Sequence, residues 1–433
     1  MTKLWAYIGL IGLFIIRHPE KNTYYISTSG DDNNNGLSVA TAWRTIGKLN
    51  TIILKSGETV LFEGGKVFDG TIILDSLDGG TRTNPLTISS YGNQRAIINA
   101  ADNRGLWAYN CAGIRVKKLV FNGSGVTTNK QNGIEFYTDY QFKSLSFIEI
   151  DSCEVKGFHG YGIVIIGDKS DTSGYRDVKI THNIAHENGE AGIGSLAKYP
   201  AIPHKNFYLA HNKAHHNKGI LGKTYNHSGN GIVMAGIDGL LIEKCEAYEN
   251  GADNRCAGGG PVGIWLWMCK NGIIQECESH HNHAGLTKDG GGFDIDGGSS
   301  DCIIRACYSH DNEGAGYLLA QFDCPLKFSN NKIINNISRN DGLKNNYGSI
   351  TFWGANETNK VVNSEVSGNK CYVTARNIVN GKPCGLRLSG NHFKGIKVIN
   401  NYFEIYKEGQ YIYADENVNP DGVYLKNNIV KNK

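Results

Sequence analysis

Thirteen consecutive residues, DGGGFDIDGGSSD at 289–301, carry four aspartates among five glycines. Asp294 and Asp296 flank a single isoleucine. On an extended strand such a pair shares one face, roughly 7 Å apart. Aspartate is disfavoured in strands, so two at this spacing imply a local reason. Asp289 precedes the pair, and Glu313 occupies the equivalent place one repeat later. Paired carboxyl groups are the machinery of glycosidic bond cleavage. Separations of about 5–5.5 Å suit retention of configuration and about 6.5–9.5 Å suit inversion. A stacked Asp289/Glu313 pair fits the first, and Asp294 or Asp296 opposed to Asp289 or Glu313 fits the second. Crowding raises the pKa of one acid and creates a protonated donor. The expected roles are nucleophile or base for Asp294 and Asp296, and general acid for Asp289 or Glu313. Two other uses compete: calcium ligation, which lacks an EF-hand spacing here, and a plain solvated acidic strand.

Other side chains complete a candidate sugar site. Trp265 and Trp267 lie one repeat before the aspartates, and indole faces stack on pyranose rings. His227, His281 and His283 are candidates to bind substrate hydroxyls. Lys288 and Arg387 are candidate cationic contacts and the alternative bases of a lyase. Lys198, Lys223 and Tyr225 fall on long insertions of the 192–231 repeat, where loops wall binding grooves. His186, His215, His280 and His310 share one column with Tyr248, and recurrence in successive repeats reads as structural stacking.

A repeat must position these groups. A glycine followed by an apolar residue recurs at Gly133, Gly162, Gly192, Gly231, Gly263, Gly292, Gly316, Gly348 and Gly385, at spacings of roughly 24–39 residues. A second short strand follows most of these glycines. Its columns read Cys153, Asn183, Asn212, Cys245, Cys277, Cys307, and then Asn188, Asn217, Asn250, Asn282, Asn312. Stacked Asn amides can bond from turn to turn, and Cys fills such a slot as a small buried group. One turn cannot bury its inner face alone, whereas stacked turns bury a continuous core. Alternation then places Ile134, Ile163, Ile193, Ile232, Ile264, Phe293, Tyr317, Ser349 and Leu386 inward. It places Glu135/Tyr137, Val164/Ile166, Gly194/Leu196, Val233/Ala235, Trp265/Trp267, Asp294/Asp296, Leu318/Ala320, Ile350/Phe352 and Arg387/Ser389 outward.

The entry segment YYISTSGDDNNNGLSVATAWRTIGKLNTIILKSGETVLFEGG, with these repeats, resembles the pectin-lyase superfamily. The resemblance implies an all-β, single-domain, right-handed parallel β-helix. It implies a capping helix over Ala42–Leu54 and a first solenoid strand over Glu58–Phe62. Locally, GFDIDGGSSDCIIRACYSHDNEGAGY resembles the catalytic turns of family-nine pectate lyases. There a lysine takes the C5 proton and acids hold calcium. Here Asp296 stands at the lysine's place, and Glu313 with Gly314 stands where the acidic turn would be. Loss of that base moves the expectation from lyase toward hydrolase.

Net charge is +3 over 433 residues, and no field favours nucleic acid. Lys3 and the apolar run Leu4–Ile16, ended by Arg17 and His18, are the size of a signal-peptide core, without an A-x-A-like cleavage site. Residues 1–22 are therefore expected to be a signal segment, 23–433 the β-helix domain, and the location secreted, periplasmic or on the cell surface. No other segment is apolar enough to span a membrane. The eleven cysteines include no CxxC pair, so no zinc site is expected, and one or two disulfides among Cys256, Cys269, Cys302 and Cys324 are open. The expected function is a monomeric glycoside hydrolase acting on an oligo- or polysaccharide, with no required cofactor and calcium as the option. The alternatives are a calcium-dependent polysaccharide lyase or uronate epimerase, and a non-catalytic glycan-binding β-helix.

Overall fold

The computed structural model describes residues 21–286, 288–374, 382–390, 392–407, 409–414 and 422–433. Apart from Lys21 and Asn22, the expected signal segment lies outside them. The described chain is an all-β solenoid of about twelve turns. Three long parallel sheets run its length, with twelve, fourteen and thirteen strands. The twelve-stranded sheet runs from Ile72–Leu74 to Gln410–Ala414 and carries the candidate residues. No helix is long and apolar enough to cross a membrane among the described residues.

Alternation along each strand drives the winding. In the twelve-stranded sheet Ile134, Ile163, Ile193, Ile232, Ile264, Phe293, Tyr317, Ile350 and Leu386 pair in register from turn to turn. All nine are fully buried in one core that continues from Ile26 to Ile405. Each such aliphatic or aromatic side chain contributes roughly 1.5–3 kcal/mol on burial. The Asn column is realised as a ladder. Asn188, Asn217, Asn250 and Asn282 each donate to the next amide oxygen at 2.9–3.2 Å, and Asn312 ends the run on Asp341. The Cys/Asn column forms a second ladder, in which Asn183 donates to Asn212 and Asn212 reaches the Cys245 sulfur.

Two expectations are corrected, and one point left open, the disulfides, is described. The helix over Ala42–Leu54 shrinks to one turn, Ile46–Leu49, preceded by a 3₁₀ turn at Val39–Thr41. Trp43 is extended and bridges Ile26, so the helix cannot start before its N-cap Thr45. Asn50 and Thr51, poor helix formers, follow it at once. The first strands come at Thr23–Ile26 and Thr59–Glu63, paired in parallel. Second, the register at Gly348 slips by one residue. Gly348 pairs with Cys384 instead of Gly385, so Ile350 and Phe352 face the core, and Thr351 and Trp353 face out. A slip of one residue exchanges the two faces of a strand. On the open point, all eleven cysteines are free and buried, and no disulfide joins Cys256, Cys269, Cys302 or Cys324.

Candidate active site

The outward face of the twelve-stranded sheet floors a cavity of about 1050 Å³. Strands Val262–Trp267, Gly291–Asp296, Gly348–Gly354 and Cys384–Ser389 supply Trp265, Trp267, Asp294, Asp296, Thr351, Trp353, Arg387 and Ser389. Loops supply the walls: Lys223, Tyr225 and His227 on one, Cys256 and Gly258–Gly260 on another, and Asn345–Tyr347 on a third. Asp289 and Lys288 enter from the turn before the aspartate strand.

Strand pairing sets each aspartate's neighbours. Asp294 lies between Trp265 and Leu318 in its column, about 4.8 Å from each neighbouring turn. It is 3 % exposed, and its Oδ1 has no hydrogen-bond partner among the described residues. Burial, then the charges of Asp296 and Asp289, push its carboxyl well above the usual range. Asp296 pairs with Trp267 and remains partly exposed. Its Oδ1 accepts from the Gly297 N–H at 2.7 Å. Burial, opposed by that bond and helped by Asp289, raises its pKa to about 7.

Asp289 is held differently. It adopts a left-handed backbone conformation at φ 58°, which aspartate tolerates. The Gly260 N–H donates to Oδ2 and the Tyr347 hydroxyl donates to Oδ1. Gly260 reaches this place only as glycine, since φ is +77° and a Cβ would meet the His227 ring at 2.4 Å. Burial still raises the Asp289 pKa, but both donors oppose the shift and favour its charged form. The three aspartates of the cavity thus have three environments: Asp294 with an unpartnered Oδ1, Asp296 singly bonded and Asp289 doubly bonded.

The aromatic lining differs from the expected pair. Trp265 is a wall, 5 % exposed, with its indole N–H donating to Asn230 Oδ1 at 3.1 Å and its ring 5.5 Å from His227. Trp267 keeps a partly exposed face, and Trp353 is 37 % exposed. These two share one column with Asp296 between them. Tyr225, 85 % exposed, stands on the rim. His227 lines the cavity, and burial, with Lys223 alongside, pushes its pKa down to about 4, so it is neutral. Lys223 is bound by Glu190 at 2.5 Å. Arg387 lies over the Tyr347 ring at 5.6 Å.

Several expected residues stand elsewhere. Glu313 does not line the cavity. It accepts from the Ala284 N–H at 2.7 Å and pairs with His283 and Lys344. Burial pushes its pKa up, but His283, the Ala284 N–H and Lys344 hold it below the ordinary value, which does not suit a general acid. His283 is clamped between Glu249 and Glu313. His281 packs at right angles to His280 and His310 on another edge of the solenoid. Lys198 pairs with Asp171 outside the cavity. Sequence reading missed Tyr347, Thr351 and Trp353. Sending Ile350 and Phe352 inward, as their apolarity requires, would have turned Thr351 and Trp353 outward.

A model described as right-handed beta helix region matches residues 141–254 and 223–366, together just over half of the chain. Lacto-N-biosidase of Bifidobacterium longum subsp. longum is 29 % identical over 136 residues, 31 % of this chain and 8 % of that protein's length. The structure of a GH136 lacto-N-biosidase from Eubacterium ramulus aligns with a TM-score of 0.63 at 18 % identity, over 95 % of this chain and 68 % of that one. The A-module of the Azotobacter vinelandii mannuronan C-5 epimerase AlgE6 aligns at 0.56 and 13 % identity, over 86 % of this chain and 91 % of that one. Repeat, sheet topology and family match agree, and the chain belongs to the right-handed β-helix family, with the pectin-lyase-like architecture.

Proposed function

We propose that the chain is a glycoside hydrolase whose reacting pair is Asp296 and Asp289. The observation that carries this reading is the unequal treatment of carboxyl groups within one aromatic-lined cavity. Hydrolysis needs one protonated and one ionised acid at the same pH. Asp296, raised to about 7, holds a proton near neutrality and can return it, as an acid/base group must. Asp289, fixed by the Gly260 N–H and the Tyr347 hydroxyl, is the member whose charge is solvated by the protein. In this assignment Asp296 protonates the leaving oxygen and Asp289 supplies the opposing carboxylate. Asp294, buried with its Oδ1 unpartnered among the described residues, stays neutral and keeps the site's charge low. These roles reverse those expected from sequence, and they replace Glu313.

Trp267, one turn before Asp296, and Trp353, two turns after it and beyond Ala320, offer flat apolar faces and are assigned as sugar platforms. The substrate class is a neutral oligosaccharide. Flat indole faces hold sugar rings by C–H stacking, which a neutral glycan satisfies without a counter-charge, and one of the three cavity cations, Lys223, is already neutralised by Glu190. Likeness to two lacto-N-biosidases supports a glycan-cleaving role. A second reading, lyase or epimerase, has Lys288 and Arg387 in the cavity as its bases, and the epimerase likeness in fold.

The test is incubation with neutral and uronate-containing glycans, with and without chelator. New reducing ends from a neutral glycan, unaffected by chelator and without the ultraviolet absorbance of an unsaturated uronate, are expected. Unsaturated products, or activity lost on chelation, would replace the hydrolase with the lyase. Binding without turnover would leave a glycan-binding protein. The anomeric configuration of the first product, read by NMR, distinguishes direct attack by Asp289 from attack by water.

A further inference from the structure

A second cluster of reactive side chains lies away from the cavity, on the edge formed by the thirteen-stranded sheet. Strands Ile184–His186, Lys213–His215, Glu246–Tyr248, Glu278–His280 and Tyr308–His310 end there in aligned rings. His186, His215, Tyr248, His280 and His310 stack with centroids 4.7–5.1 Å apart. The next residue in each turn is left-handed, with φ between 53° and 56° at Glu187, His216, Glu249, His281 and Asp311. That conformation turns the corner and sets a second column of metal-ligating types beside the first.

Ring nitrogens of the two columns meet at His215/His216 and again at His280/His281, and beside the second pair a carboxylate, Asp311, joins them. His280 Nδ1 and His281 Nδ1 are 2.8 Å apart, and His310 Nδ1 is 2.8 Å from Asp311 Oδ2. One donor atom each from His281, His310 and Asp311 lies within 4.8 Å of the others. The His281 ring stands at 88° to that of His310, an angle at which in-plane lone pairs of two imidazoles can meet. A stacked pair such as His280 and His310, 6° from parallel, cannot share an ion in this way. The perpendicular His281 is therefore the residue that makes the cluster chelating. Stacking alone accounts for the first column but not for imidazole nitrogens converging from two.

We propose that His281, His310 and Asp311 bind a divalent cation of the zinc class, with solvent completing its shell, and clip two successive turns together. Imidazole nitrogen with one carboxylate oxygen suits zinc, cobalt or nickel, whereas calcium and magnesium take oxygen. The absence of CxxC pairs excluded a cysteine site and left this histidine site unread. None of its residues lines the cavity.

The experiment is calorimetric titration of the chelator-treated full chain with zinc chloride, with cobalt absorption as the coordination readout. One zinc per chain, cobalt bands typical of low-coordinate nitrogen and oxygen ligation, and a higher Tm with zinc are expected. His281→Ala, at an exposed position, should weaken binding by at least about 10–100-fold. His216→Ala, at the equivalent corner two turns earlier, should leave it within about twofold. The proposal is overturned if wild type binds zinc only at millimolar concentration, if His281→Ala binds as wild type does, if both variants weaken binding alike, or if calcium competes equally.

Discussion

At the scale of single residues, the aspartates differ by their hydrogen-bond partners. Tyr347 is the positioning residue for Asp289. Tyr347→Phe removes one of two donors and should raise the pKa on the acidic limb of the pH–rate profile, while kcat falls about tenfold or more. An unmoved limb would remove Tyr347 from the account. The buried acids also set how stability depends on pH. Asp294 and Asp296 have raised folded pKa values, so the folded state binds more protons than the unfolded chain. Their contribution is complete below the unfolded value of about 4 and is lost as pH rises through the folded values, about 7 for Asp296. These acids alone would lower the Tm from pH 5 to pH 8, while buried histidines such as His204 and His227, lowered to about 4, act with the opposite sign over part of that range. Asp294→Asn, which cannot ionise, should flatten part of that fall. An equal fall in the variant would contradict a buried, raised Asp294.

At the scale of elements, the Asn ladder ties the turns that carry the site. Asn250 accepts from the Asn217 N–H and amide, and donates to Ala214 and Asn282. Asn250→Ala leaves these buried groups unpaired and should cost about 2–4 kcal/mol in chemical denaturation. Lys332→Ala on an exposed strand position should stay within about 0.5 kcal/mol. The same elements show what could be read from sequence. The inward column from Ile134 to Tyr317, the Asn and Cys ladders and the acidic strand were legible because each recurs with the repeat. The Gly348 turn was not, because a glycine marks a turn but does not count residues to the strand. Glu313 and His283 were misplaced for a related reason. They lie at corners, where left-handed residues such as His281 and Asp311 break strand alternation. The capping helix failed where Trp43 spent its backbone on a bridge to Ile26.

At the scale of the molecule, the solenoid is a continuous frame with the candidate cavity on one sheet and a histidine edge on another. The frame holds Trp267, Asp296 and Trp353 in one column, so their spacing follows from the turn repeat and not from loop conformation. Loops decide only what encloses the sugar. The central claim is that Asp296 is the acid/base group of a hydrolase. It is tested most directly by comparing kcat/KM of wild type and Asp296→Asn on the glycan that wild type cleaves, with thermal unfolding confirming the fold of both. The account predicts a loss of about 10²–10⁴-fold or more with a native Tm. An Asp296→Asn protein that is folded and turns over at the wild-type rate would contradict it.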